Sequence, residues 1–323
     1  MTRYLVSCLW QSLLVLFGIS LIVFIILHLT GDPAVLMMPP DATQEDIENF
    51  RKIMGFNDPL FVRWPPWNYV NPPWGFLADT QYGRFLMGAI VGNFGTSFRH
   101  QQPALGLVLE RMPATIQLTL AAMGLAICVA VPVGIISAVR RNSPADHAGM
   151  AVALLGQSMP VYWLGIMLIM LFAVRWNLLP AFGKGTLRHL ILPALTLGAF
   201  SMARIARLTR SGMLEVLGQE YVRTARAKGL SELRVIVKHA LKNAAIPVIT
   251  VIGLDLGTLL GGAVITETIF AWPGVGRLAV QAIANRDYPV VQAAVFTLAS
   301  IFVIINFLVD VLYTVVDPRV AYK

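Results

Sequence analysis

Five stretches of this chain run for 20 residues or more with at most one charged side chain each, and nothing else in the sequence limits the fold so tightly. They extend from Trp10 to Leu29, Pro113 to Val139, Ala148 to Val174, Asn243 to Thr266 and Pro289 to Val316. About 20 apolar residues in a helix cross the roughly 30 Å of hydrocarbon in a bilayer, so each is a candidate membrane span. A sixth, between His189 and Arg204, has a shorter apolar part whose length also suits a buried or re-entrant helix. Of the 323 residues, 57% are hydrophobic and 13% charged, about half the charged share of an ordinary soluble domain. A water-soluble globule is excluded, and the main solvent is lipid. Cys8 and Cys128 both lie in apolar runs, which leaves neither a disulfide framework nor a zinc or other metal site.

The formal net charge of +8 would suit a nucleic-acid partner, but its position argues for topology. With six spans and a cytoplasmic amino terminus, the short inside segments hold Arg3, then Arg140 and Arg141, then nine basic residues from Arg204 to Lys242, then Arg319 and Lys323. The short outside loops hold only Arg175, Lys184, Arg188, Arg277 and Arg286. The long segment from Thr30 to Met112 is discounted, because long loops translocate regardless of charge. Omitting the marginal span would put the nine-basic loop outside, so it is kept. Both termini are then expected in the cytoplasm, with no nucleic acid involved. Arg204, Arg207 and Arg210 fall on one helical face at i, i+3, i+6 and are expected to snorkel to the cytoplasmic head groups.

A cleavable export signal fits the first 29 residues poorly, since the apolar run exceeds the usual 7 to 15 residues of such signals. After it, Asp32 is a candidate cap for a short helix starting at Pro33. A soluble amphipathic helix follows, with Ile47, Phe50, Ile53 and Met54 on one face and Gly55 as its stop. The Pro- and Trp-rich stretch from Phe61 to Phe76 cannot be regular helix and reads as an interfacial aromatic belt or a docking segment.

The segment Gln219–Lys242 is polar, basic and strongly periodic. It reads as two helices broken at Gly229. In the second, Leu233, Ile236, Val237, Ala240 and Leu241 share a face, with Ser231 as N-cap. The first is short, with Tyr221, Val222 and Ala225 on one side and Arg223, Arg226 and Lys228 around the rest, so it needs something to pack against. Periodicity alone also allows an amphipathic loop lying on the anionic inner leaflet.

At these residues the chain resembles a known family. EYVRTARAKGL followed by KHALKNAAIPVIT is similar to the cytoplasmic loop of ATP-binding-cassette (ABC) importer permeases of the peptide, opine and nickel group. Other landmarks of the resemblance are Gly31-Asp32-Pro33, Arg111-Met112-Pro113-Ala114-Thr115, Ile191 to Gly198, Leu259 to Ala263, Trp272 to Arg277, Arg286 to Pro289 and Asp310 to Tyr313. Arg223, Thr224 and Ala225 stand where the general importer motif has an acidic-small-small triplet. The resemblance implies an all-α integral membrane fold of six transmembrane helices, the type I binding-protein-dependent permease fold. Its parts would be a tail and first span at 1–29, an extracytoplasmic region at 30–112, and a core at 113–323 with the coupling loop at 210–242. It further implies a permease for di- or oligopeptides or a related small solute in the bacterial inner membrane. The implied partners are a homologous second permease, two ATPase subunits that hold ATP and Mg, and an extracytoplasmic binding protein. Glu220, Tyr221, Val222, Arg223, Thr224, Ala225, Arg226, Ala227, Lys228 and Gly229 would form the coupling helix that docks into a groove on the ATPase. In physical terms Tyr221, Val222 and Ala225 would be the apolar anchors of that docking.

In the run from Asn243 to Thr266, Gly253, Gly257 and Gly261 form a GxxxGxxxG seam suited to close helix packing. Asp255 points away from it and, with Thr258, Gly262 and Thr266, makes a polar or small stripe. An acid at mid-membrane costs about 2.5 to 3.5 kcal/mol, so lipid exposure is disfavoured. Two readings stay open: the stripe lines a translocation pathway, or Asp255 is a structural acid bonded to a neighbouring helix. Asn306 and Asp310 are expected to anchor to the basic inner loop.

An ion-coupled secondary transporter or channel is the rival reading, because six spans with an intramembrane acid would suit cation coupling. An enzyme is disfavoured. Gly183-Lys184 lacks the upstream glycine of a phosphate loop, the position being Leu178, and no catalytic constellation of nucleophile, base or paired acids is present. No cofactor is expected on this chain.

Overall fold

The computed structural model describes residues 2–29, 34–35, 38, 42–54, 56–61 and 80–316. The expected roles of Asp32 and Gly55 and the Pro- and Trp-rich stretch beyond Phe61 lie outside the described residues. The helices are α1 (Thr2–Leu29), α2 (Gln44–Met54), α3 (Gln81–Val91), α4 (Ala104–Val139), α5 (Pro144–Ser158), α6 (Val161–Leu168), α7 (Leu187–Leu217), α8 (Glu220–Ala227), α9 (Leu241–Ile269), α10 (Val275–Ala284) and α11 (Tyr288–Val316). Five helical segments are long and apolar enough to cross a bilayer, namely Val6–Ile26, α4, α7, Glu232–Ile269 and Tyr288–Val311.

The span expected over Ala148–Val174 is not a single helix. It is two pieces, α5 and α6 with the π-turn Ile169–Arg175 that follows it, bent by 112°. Pro160 is the reason: it donates no N–H and its ring drives the preceding residue out of the helical region, and Met159 is extended at φ −84°, ψ 131°. Pro132 and Pro247, by contrast, sit inside unbroken helices. The marginal run between His189 and Arg204 becomes the 31-residue α7, which continues well past Arg204.

Two compact units are present: Met1–Leu9, Pro113–Arg277 and Ile301–Lys323 in the first, Trp10–Met112 and Leu278–Ser300 in the second. The core of the first is built on small residues. Ala114, Leu118, Ala122, Ala126 and Ala130 repeat every four positions on α4 and are buried with Ala194, Leu197, Ile205 and Ala206 of α7 and Val248, Leu259 and Ala263 of α9. A Cβ on Gly198 would lie 2.6 Å from the Ala122 carbonyl oxygen, so glycine is what lets α7 approach α4 this closely. The glycine seam of α9 packs at two of its three positions. A Cβ on Gly253 would meet Val309 at 2.8 Å and one on Gly257 would meet Asn306 and Phe302 of α11, whereas Gly261 has open space around it. Asn306 thus faces α9 rather than the basic loop.

In the second unit α3 is held on α1 by aromatic and polar contacts. Phe24 is buried among Phe61, Tyr82 and Phe85, Ser20 Oγ bonds Tyr82 Oη at 2.8 Å, and His28 bonds Gln81 at 3.0 Å. Thr43 and Asp46 cap α2 reciprocally, and the Thr43 hydrogen bonds hold the Asp46 carboxyl below the ordinary aspartate range.

Candidate functional site

The basic loop begins where α7 ends. An isolated eight-residue helix is marginal in water, so α8 depends on packing. Val222 and Ala225 supply it. Both are buried, clustered with Val235 and covered by Val216, Leu217 and Leu230. This overturns the expectation that they anchor a partner: the apolar stripe of so short a helix is spent on its own chain. Tyr221 sits at the edge, about two-fifths exposed, where its hydroxyl accepts from Asn243 Nδ2 at 2.7 Å. The outward face consists of Glu220, Arg223, Thr224, Arg226, Ala227 and Lys228, all exposed. Gly229 has φ +76°, the left-handed conformation that ends the helix, and Arg226 grips Glu232 across that turn at 2.7 and 3.4 Å.

Beyond the turn the expected face is also shifted. Val235–Ala240 is a π-turn, so Val235 and Ala240 point inward, while Leu233 and Val237 are exposed. A π-turn takes an extra residue per turn, and the i, i+3, i+4 pattern assumed for this segment fails across it.

The arginine stripe of α7 was expected to snorkel as a set. Only Arg207 is exposed. Arg204 Nη1 bonds Asp255 Oδ1 at 2.8 Å, and Arg210 forms a fork with Asp146 through Nε at 2.7 Å and Nη2 at 2.8 Å. In a low-dielectric bundle a carboxylate attracts a guanidinium more strongly than distant head groups do. Asp146 also accepts from the Asn142 amide at 3.0 Å, so it orders the turn before α5. Asp255 is 1% exposed, and its Oδ2 has no hydrogen-bond partner among the described residues. The remaining members of its stripe do not share one environment: Thr258 is exposed, Gly262 is half-buried beside Leu197, and Thr266 is buried.

Two further buried acids carry much of the polar architecture; Glu267 was not singled out in the sequence, and Asp287 only as part of the Arg286 to Pro289 landmark. Glu267, fully buried in the last turn of α9, accepts from Thr115 Oγ1 at 2.6 Å and from the Arg277 amide at 3.0 Å. Thr115 Oγ1 in turn accepts from the Val275 amide at 2.9 Å. The carboxyl therefore sits against the first turn of α10, where amides lack helical partners. Trp272 Nε1 donates to the Ala114 carbonyl at 2.8 Å. A Cβ at Gly274 would overlap the Glu267 carboxyl, and one at Gly276 would run into Val264, which accounts for both glycines of the Trp-Pro-Gly-Val-Gly-Arg segment. The sequence signal was available: an acid at the C-terminal end of a helix opposes the dipole and needs a local reason. Asp287, in the second unit, accepts from Ser97 Oγ and from the amides of Phe98 at 3.2 Å and Arg99 at 3.4 Å.

Known proteins resemble the chain along most of its length. Residues 130–322 match the family described as "Binding-protein-dependent transport system inner membrane component", and residues 1–119 match its N-terminal counterpart, "Binding-prot-dependent transport system membrane comp, N-term". The chain is 41% identical to the dipeptide transport system permease protein DppB of Alkalihalophilus pseudofirmus, over 95% of this chain and 96% of that one. It is 40% identical to the glutathione transport system permease protein GsiC of Escherichia coli K12 over the whole of both chains. Among solved structures, an inward-facing form of the MetNI methionine ABC transporter aligns with a TM-score of 0.55 at 20% identity, covering 65% of this chain and 96% of that one. That likeness concerns the fold.

Proposed function

The chain belongs to the binding-protein-dependent transport system inner membrane component family, and from that membership we propose how it works and what it carries. It is a multi-pass inner-membrane permease subunit of an ABC importer. The solute we assign is a dipeptide, oligopeptide or glutathione-like molecule, the class named for its relatives. It is delivered by an extracytoplasmic binding protein and driven by two ATPase subunits, with a homologous permease completing the pathway. The nine-basic loop lies in the cytoplasm, by the charge rule that favours basic residues inside, and both termini lie there too. ATP and Mg belong to the partners; this chain contributes no catalytic group.

One observation carries the reading. The inner face of α8 rests on Val216 and Leu217 from the end of α7 and on Val235 from the turn that leads into α9. A pull on the polar outer face of α8 is thereby passed to both helices at once. Tyr221 to Asn243 and Arg226 to Glu232 tie the same elements together. Within the bundle the Arg204–Asp255 pair links α7 to α9 again. We assign the exposed Thr258, with Gly262 near it, to the pathway wall, and place Asp255 and Thr266 behind it.

The test is uptake into proteoliposomes holding both permeases, the ATPase pair and the binding protein. Labelled dipeptide should accumulate only with ATP and binding protein, and a protonophore should change nothing. Uptake that persists without ATP and collapses with the protonophore would establish the ion-coupled rival. Replacing Arg204 alone by Met should strand Asp255 and lower stability in detergent by about 3 kcal/mol, while the double change Arg204→Met with Asp255→Leu recovers most of it. If the double variant also transports normally, Asp255 serves structure alone.

A further inference from the structure

The second unit holds a cavity with a charged rim that the permease reading leaves unused. It measures about 230 Å³ and is lined by Arg99, His100, Gln281, Asn285 and Asp287, with Leu278, Ala282 and Val290 as its apolar walls. The charge in it is unevenly presented. Asp287 is 3% exposed, and its two oxygens are taken up by Ser97 Oγ and the amides of Phe98 and Arg99. Arg99 and His100 are exposed. The Arg99 guanidinium is held at 2.6 Å by the neutral Asn285 amide oxygen, and it pairs with no carboxylate among the described residues. Asn285 thus orients the cation without neutralising it.

We propose that this cavity is a docking socket for one acidic side chain, Asp or Glu, of the extracytoplasmic binding protein. The proposal rests on the topology given above, which places the turn between α10 and α11 on the outer side of the membrane. Size separates the two sources of a carboxylate. Sites for small molecules typically span roughly 300–1,000 Å³, so an open cavity of about 230 Å³ is better matched to a single inserted side chain than to a whole solute. A fixed, unpaired guanidinium with an apolar floor is the arrangement that orients an incoming carboxylate and speeds encounter.

The experiment measures the affinity of the purified binding protein for the complete transporter in lipid nanodiscs. Arg99→Glu should weaken binding about tenfold and reduce its salt dependence, because like charges then meet at the rim. Arg99→Lys, which keeps the charge, should stay within about threefold of the wild type, and Asn285→Ala should fall between. Reversing one acidic residue on the binding protein should restore its affinity for Arg99→Glu. Unchanged affinity in Arg99→Glu would overturn the proposal. So would a rise in the half-saturating solute concentration with binding-protein affinity intact, which would give the cavity to the solute's own carboxylate. If the wild-type transporter binds no such protein, the importer reading fails, and this proposal with it.

Discussion

Replacing Glu267 by Ala removes the folded protein from the membrane fraction, the largest effect expected of any single substitution in this chain. The side chain is fully buried, and the change deletes acceptors for Thr115 Oγ1 and the Arg277 amide while opening a void beside Gly274 and Gly276. Each orphaned buried donor costs about 1–3 kcal/mol, and the cavity adds to that. The sum approaches the whole stability of a typical domain, about 5–15 kcal/mol. Glu267→Gln keeps one acceptor and turns an amide group toward a donor, so it should lose about 1–3 kcal/mol and remain detectable. The measurement is the yield of monodisperse protein in detergent, followed by its thermal midpoint. Normal yield and midpoint for Glu267→Ala would show that the α9–α10 junction does not depend on this carboxyl.

The second large effect separates the two faces of α8. Val222→Asp places a charge in a site with no exposure, beside Val235, and should detach α8 from the ends of α7 and α9. The purified transporter should then hydrolyse ATP without moving solute. Arg223→Glu with Thr224→Glu alters only exposed positions, so the permease itself should stay folded, yet docking to the ATPase should weaken. If Val222 were a partner anchor rather than an internal one, both variants would lose ATPase subunits on purification. On the present account only the outer-face variant does.

Which features were legible from sequence follows from what a one-dimensional pattern can encode. Span positions depend on runs of apolar residues, and those were readable, as was the break at Gly229, which only a positive φ satisfies. The direction of a short helix's apolar stripe was not. Val222 and Ala225 fit an ATPase groove and an internal cluster equally well, and length decided it, because eight residues cannot hold themselves in place. The arginines of α7 failed for a different reason: Asp146 and Asp255 lie 64 and 51 positions from Arg210 and Arg204, beyond any local rule. Across the π-turn at Val235–Ala240 the assumed period was wrong. The bend at Pro160 was half legible, since a proline inside an apolar run permits a kink, and only packing decides between a kink and a break of 112°.

The central claim is that α8 carries force from an ATPase to the pathway through α7 and α9. The most direct measurement of it is the ratio of solute imported to ATP hydrolysed, in the same proteoliposomes, for the wild type and for Val222→Asp. Loss of a central, well-packed contact is worth about 2 kcal/mol or more, so the ratio should fall at least about tenfold while hydrolysis continues. A ratio equal to that of the wild type, with hydrolysis and uptake both intact, would contradict the account.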